Sequence, residues 1–145
     1  MTRGYIEFEF NGDTRRIYGG SFFHAPDGDD FYTVNLMQEQ PDLVSTDYFP
    51  IKDFSTPSSS SELIEVFEKM LEDEKQRDIY VGCFGGIKRT GLFIGSFLKY
   101  MGNDSPIYTT RSTYYHKAIE TMEQENFVLS FPKRSSVINH IKKNH

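Results

Sequence analysis

The sequence predicts an α/β fold in which a central, mainly parallel sheet is flanked by helices, and three observations carry that prediction. Short segments that alternate apolar and polar, or are rich in aromatic and β-branched residues, fill the first half: YIEFEF, FYTVNLM and DYFPI. After STPSSSSE the period lengthens to that of a helix, with Leu63, Val66, Phe67, Met70 and Leu71 on one stripe. A short apolar run, Ile79 to Val81, then stands between two helical segments, the pattern of a buried parallel strand reached by a helical crossover.

In order along the chain, YIEFEF puts Ile6, Phe8 and Phe10 on one face, and the tight-turn signal NGD leads into RRIYGG, so an N-terminal hairpin is expected. FYTVNLM and DYFPI follow the turn-forming PDGDD and QEQPD and read as strands. Ser59 and Glu62 have capping-box spacing for a helix over Ser60 to Lys75. From Thr90 to Met101 the chain is apolar nearly all round and stops at Gly102-Asn103, as a buried central helix would. SPIYTTR reads as a connector, and two amphipathic helices, Tyr114 to Leu129 and Lys133 to Lys142, follow on either side of Pro132.

A chain of 145 residues is expected to form one domain, residues 1–145, with a real core. Its formal charge of −5 argues against a general nucleic-acid coat, so nucleic acid is not an expected partner. One Cys excludes an internal disulfide and suits a reducing compartment. MTRGYIEFEFNGD lacks the run of about 7 to 15 apolar residues of a signal peptide, and no later run approaches about 18 to 20. The expectation is a soluble, cytoplasmic protein without a membrane partner.

The single thiol sits in VGCFGGIKRTG, Val81 to Gly91. A strand, a glycine-rich turn and a helix start bring backbone N–H groups together at the positive end of a helix dipole, and an anion such as phosphate, sulfate or vanadate fits there. A triphosphate loop of the form G-x-x-x-x-G-K-S/T cannot be laid on this stretch. Such a field lowers a thiol pKa from about 8.5 toward about 3.5 to 7.5, so Cys83 is expected to be a thiolate. A thiolate aimed at phosphorus displaces an alkoxide or phenoxide and leaves a phosphocysteine for water to hydrolyse. The backbone of Phe84, Gly85, Gly86, Ile87 and Lys88 would cradle the phosphate, and Arg89 would hold two of its oxygens in a fork. The Thr90 hydroxyl would hydrogen-bond the departing sulfur.

CFGGIKRTG resembles the C-x5-R-S/T-G signature loop of the cysteine-dependent protein tyrosine and dual-specificity phosphatases, with Gly86 on the glycine of that pattern. Background residue frequencies would align these types on the order of once in ten thousand. The loop is also similar to that of short uncharacterised bacterial and phage proteins. Two positions depart from the family: Gly82 stands where a His usually precedes the nucleophile, which removes one support of the thiolate, and Lys88 stands where Gly often precedes the Arg.

The resemblance implies a phosphotyrosine-phosphatase-like fold and further roles. The family's general acid is an Asp about thirty residues before the Cys, and FPIKDFSTPSS puts Asp53 there, with Asp47 as the alternative. AIETMEQENF is similar to the segment that positions the hydrolytic water: Gln124 matches its second glutamine, Thr121 its threonine, and Glu120 replaces its first glutamine. Arg111 would buttress the acid or signature loop. Expected substrates are phosphorylated proteins, on tyrosine and also on serine or threonine, with no cofactor. An RNA 5′ end or an inositol lipid handled by the same site is one alternative, favoured by Lys52 and Lys88, and a phosphate-binding module that has lost turnover is another. His24, His116, His140 and His145 show no metal-ligand spacing, the Asp27, Asp29, Asp30 cluster reads as a turn, and Tyr114 and Tyr115 read as core or rim.

Overall fold

A computed structural model describes residues 2–143, so His145 and the side chain of His140 lie outside the described part. Five strands form one sheet: β1 (Thr2–Phe10), β2 (Asp13–Ser21), β3 (Phe31–Met37), β4 (Asp47–Ile51) and β5 (Asp78–Cys83), in the order β1-β2-β5-β3-β4. The β1–β2 hairpin is antiparallel and turns on Asn11 and Gly12, both at positive φ, as NGD foretells. The other three pairings, β2 with β5, β5 with β3 and β3 with β4, are parallel. The expected mainly parallel sheet is therefore present, and β5 is central because both its faces and both its edges are covered; from Ile79 to Cys83 every residue is buried.

Helices flank the sheet: α1 (Ser60–Leu71), α2 (Lys88–Tyr100), the single turn α3 (Pro106–Thr109), α4 (Met122–Ser130) and α5 (Arg134–Lys143). Within α2 only Lys88 and Lys99 escape full burial, which is the physical content of its all-round apolar sequence. Phe67 of α1 meets Phe93, Phe97 and Tyr100 of α2 and Phe131 after α4, with ring centroids 5.1 to 5.6 Å apart. Glu68 ties the same elements by accepting from Tyr100 Oη at 2.6 Å and from the Arg134 guanidinium at 2.9 and 3.1 Å.

Three local expectations are corrected. The Ser59–Glu62 capping box does not form; Ser59 Oγ meets Ser61 Oγ instead, and α1 ends at Leu71, where Glu72 to Lys75 turn toward β5. SPIYTTR is not a plain connector, because α3 continues into a π-helical turn, Thr110–Tyr114. The helix expected over Tyr114 to Leu129 is broken: the chain leaves helical geometry at Tyr115, passes Ile119 at φ +60°, and resumes at α4. Thr121 and Gln124 form the capping box that starts it. Among the described residues, no helix is long and apolar enough to cross a membrane.

Candidate active site

Three parallel strands deliver their carboxyl ends to one edge of the sheet, which is where open α/β sheets gather ligand-binding groups. Cys83 is the last residue of β5, Asp53 lies two residues beyond β4, and Glu39 two residues beyond β3. Asp53, Cys83, Phe84, Gly85, Ile87, Lys88 and Arg89 line one cavity of about 210 Å³.

The thiol is almost wholly buried and accepts hydrogen bonds from the Gly86 N–H at 3.2 Å and from Thr90 Oγ1 at 3.1 Å. Gly86 adopts φ +72°, and a Cβ there would lie 2.5 Å from the Gly20 backbone, so only glycine fits this bend. The departure at Gly82 has a similar origin, since a Cβ would stand 2.8 Å from the backbone of Phe22. The chain leaving β2 therefore occupies the space that any side chain at position 82 would need.

Arg89 is nearly inaccessible, and its guanidinium already has a partner that the sequence did not reveal. Nη1 and Nη2 donate to the two carboxylate oxygens of Glu39 at 2.7 and 2.9 Å, and Nη1 also donates to the Ile51 carbonyl at 3.0 Å. Its Nε lies 3.8 Å from Asp53 Oδ1. Burial works to lower the Arg89 pKa, but the Glu39 hydrogen bonds and the neighbouring Cys83 and Asp53 outweigh it and raise the value. The Glu39 carboxyl is correspondingly held below its ordinary 4.5, first by the hydrogen bonds from Arg89. A depressed carboxylate pKa adds stability that is present above the ordinary value and is lost as pH falls through the folded one. Thermal unfolding midpoints followed below pH 4.5 should therefore fall less steeply in Glu39→Gln than in the parent.

Asp53 is half exposed, and its Oδ1 accepts from the Phe54 N–H at 3.0 Å. Phe54 has φ +63°, and its ring lies under the Lys88 ammonium, 3.6 Å from the centroid. Lys88 also reaches Glu120 Oε2 at 3.5 Å, so one lysine touches both the segment after Asp53 and the loop before α4. Arg111 braces that second loop, not the acid or signature loop: it donates to the carbonyls of Ala118 and Ile119 and to Glu125. Gln124 is not part of the cavity wall. Its Oε1 accepts from the N–H groups of Glu120 and Thr121 at 3.2 and 3.4 Å, and its buried Nε2 finds no partner among the described residues. Asp47 lies elsewhere, accepting from Tyr32 Oη at 3.2 Å and pairing with Lys69 at 3.8 Å. Asp27 closes the expected turn by accepting from the Asp29 N–H. The described residues contain no cluster of His, Cys, Asp and Glu able to hold a metal ion.

A strand-borne thiol in a loop of amides, followed by a buried arginine and faced by an aspartate from the next strand end, agrees with comparisons to known proteins. The family model described as DSP-PTPase phosphatase fused to NAD+ kinase matches residues 25–130. The chain belongs to that family. The match runs beyond the stretch over which the sequence shows the resemblance, about Tyr48 to Phe127, and leaves the β1–β2 hairpin outside it. Two uncharacterized proteins of Methanocaldococcus jannaschii, MJ0215 and MJECL20, are each 35% identical over 96 and 97 residues, or 66% of this chain. The chain spans 60% and 65% of those relatives' lengths. Among solved structures, Tk-PTP in its active form is 25% identical, with a TM-score of 0.56, over 70% of this chain and 78% of that one. PTPMT1 shares the fold at 15% identity, with a TM-score of 0.63, over 88% of this chain and 94% of that one. The protein is a dual-specificity phosphatase-like domain.

Glu39 is the site residue that sequence reasoning missed. QEQPD carried only a turn signal, and a carboxylate just past a buried strand end was the available hint.

Proposed function

We propose that the protein hydrolyses phosphomonoesters of proteins, phosphotyrosine first and phosphoserine or phosphothreonine second, through a phosphocysteine intermediate. The observation that carries this reading is the placement of Cys83 Sγ, which accepts from Gly86 N–H and Thr90 Oγ1 in a cavity shared with Arg89 and Asp53. Both donors hold the sulfur at the mouth of the loop whose amides face the cavity. Cys83 attacks phosphorus, Arg89 and the amides of residues 84–88 hold the equatorial oxygens, and Asp53 protonates the leaving oxygen. Thr90 supports the sulfur when the phosphocysteine breaks. Asp53, now a carboxylate, takes a proton from the attacking water; Gln124, buried outside the cavity wall with its Nε2 unpartnered, has to turn toward the cavity to donate to that water.

Exposed aromatic rings favour an aryl ester. Phe84 and Phe23 pack edge to face at 5.6 Å, and Phe54 is more than half exposed, so a phenyl leaving group would meet apolar surface at the rim. The chain works as one domain, residues 1–145, in a reducing compartment such as the cytoplasm.

Steady-state hydrolysis of aryl phosphates tests the assignment, with phosphopeptides, inositol lipids and 5′-phosphorylated RNA as competing substrates. Absence of turnover with oxyanion binding retained would leave a phosphate-binding module. Asp53→Asn should lower kcat for phenyl phosphate by about 10² to 10⁴-fold. The loss should shrink for p-nitrophenyl phosphate, whose leaving group departs without a proton. An equal loss on both esters removes Asp53 from the role of acid.

A further inference from the structure

Tyr114 lies outside the chemistry assigned above, yet it is fixed between the N-terminal hairpin and the signature loop. It is buried, it closes the π-helical turn Thr110–Tyr114, and its hydroxyl donates to the Gly86 carbonyl. The tip of its ring fills space that any side chain at Gly19 would need, since a Cβ there would lie 2.6 Å from Tyr114 Oη. Its own carbonyl oxygen sits 2.5 Å from where a Cβ on Gly4 would stand. Both strands of the hairpin are thus cut away to admit this one residue, and π-helical turns of this kind are often found at functional positions.

The bond to Gly86 matters because of peptide geometry. The linkage from Gly86 to Ile87 is trans, so the Gly86 carbonyl and the Ile87 N–H lie in one plane and point in opposite directions. Ile87 lines the cavity, whereas Tyr114 does not, so a carbonyl drawn to Tyr114 leaves the Ile87 N–H turned the other way. A glycine at positive φ resists rotation of the next peptide plane only weakly, and the hydroxyl supplies the missing restraint.

We propose that Tyr114 is a positioning residue: by holding the Gly86 carbonyl out of the cavity, its hydroxyl keeps the Ile87 N–H aimed at the bound oxyanion. The proposal rests on the phosphatase reading only in taking the loop after Cys83 as the phosphate cradle. With the hydroxyl gone the peptide plane is free to turn, and a donor is replaced by an acceptor that repels the phosphoryl oxygens.

The test compares the parent with Tyr114→Phe, which keeps the ring. Expected results are a fall in kcat/KM for p-nitrophenyl phosphate on the order of 10²-fold and tungstate affinity weakened about tenfold. The thermal midpoint should stay close to the parent's. The Ile87 amide resonance, which should move on adding tungstate to the parent, should lose that response in the variant. Gly19→Ala is the second variant; it pushes the hydroxyl off Gly86 without removing it and should reproduce the loss, which also decides the matter if Tyr114→Phe fails to fold. Parent-like kcat/KM and an unchanged Ile87 response in the variants overturn the positioning role while leaving the phosphatase reading intact. A parent that neither hydrolyses aryl phosphate nor binds tungstate overturns the phosphatase reading and the positioning role together.

Discussion

Cys83→Ser is expected to lower turnover of aryl phosphates by on the order of 10⁴-fold or more while phosphate and tungstate still bind. The two effects separate because the sulfur and the cradle do different things. Turnover needs a nucleophile that forms a bond to phosphorus, and a serine hydroxyl with no adjacent base is a far weaker one than a thiolate. Described donors to the sulfur are the Gly86 N–H and Thr90 Oγ1; neither is a base. Binding needs amides and a guanidinium, and these come from residues 84–89, which the substitution leaves in place. Serine is smaller than cysteine, and its oxygen can accept from the same two donors, so this buried position stays satisfied and the fold is kept. Rapid-quench measurement of phosphoenzyme, beside calorimetric titration with tungstate, checks both halves. Phosphoenzyme in the parent and none in the variant, at similar tungstate affinity, is the expected pattern. Turnover within about tenfold of the parent would mean that another group attacks phosphorus.

How much of this was legible in the sequence follows from how local each signal is. The signature loop was readable because its geometry is written in consecutive residues: the apolar strand, the glycines at the bend, and the helix start all fall within Val81 to Gly91. The place of Asp53 in the cavity wall was legible through the resemblance, from its distance to the Cys and from the flanking prolines. Glu39 was not, because its meaning depends on Arg89, fifty residues away, and on β3 and β5 being neighbours in the sheet. The broken helix after Tyr114 was missed for a related reason. The apolar spacing there is compatible with one continuous helix, but Ala118 and Ile119 lie close against Gly91, and the segment passes it as an irregular turn with Ile119 at positive φ. The Ser59–Glu62 box failed because a serine-rich run offers several competing hydroxyls, and Ser59 pairs with Ser61. Gly82 read as a lost catalytic support, and it is also a steric necessity imposed by the backbone of Phe22.

Arg89→Lys is expected to lower kcat/KM by on the order of 10² to 10³-fold, although it preserves the charge. The reason is geometric. Arg89 makes a two-pronged contact with Glu39 and a third bond to the Ile51 carbonyl, so its plane is fixed before any phosphate arrives. With two edges of the guanidinium so held, the Nε side toward Asp53 is the part left to face the cavity. An ammonium has no plane, cannot fork onto Glu39, and sits at the end of a flexible chain, so it would satisfy either the carboxylate or the phosphate but would not orient one by means of the other. Glu39 would then lose the bonds that hold its pKa down, and the acid-side stability it contributes should fall with them. Two measurements separate orientation from charge. The salt dependence of tungstate binding should change little, because the formal charge is the same, whereas kcat should drop more than KM rises, because the fork serves the transition state more than the ground state. If Glu39→Gln leaves kcat near the parent's while Arg89→Lys abolishes it, the arginine is held by its burial and the Ile51 carbonyl, and the carboxylate contributes to acid stability alone.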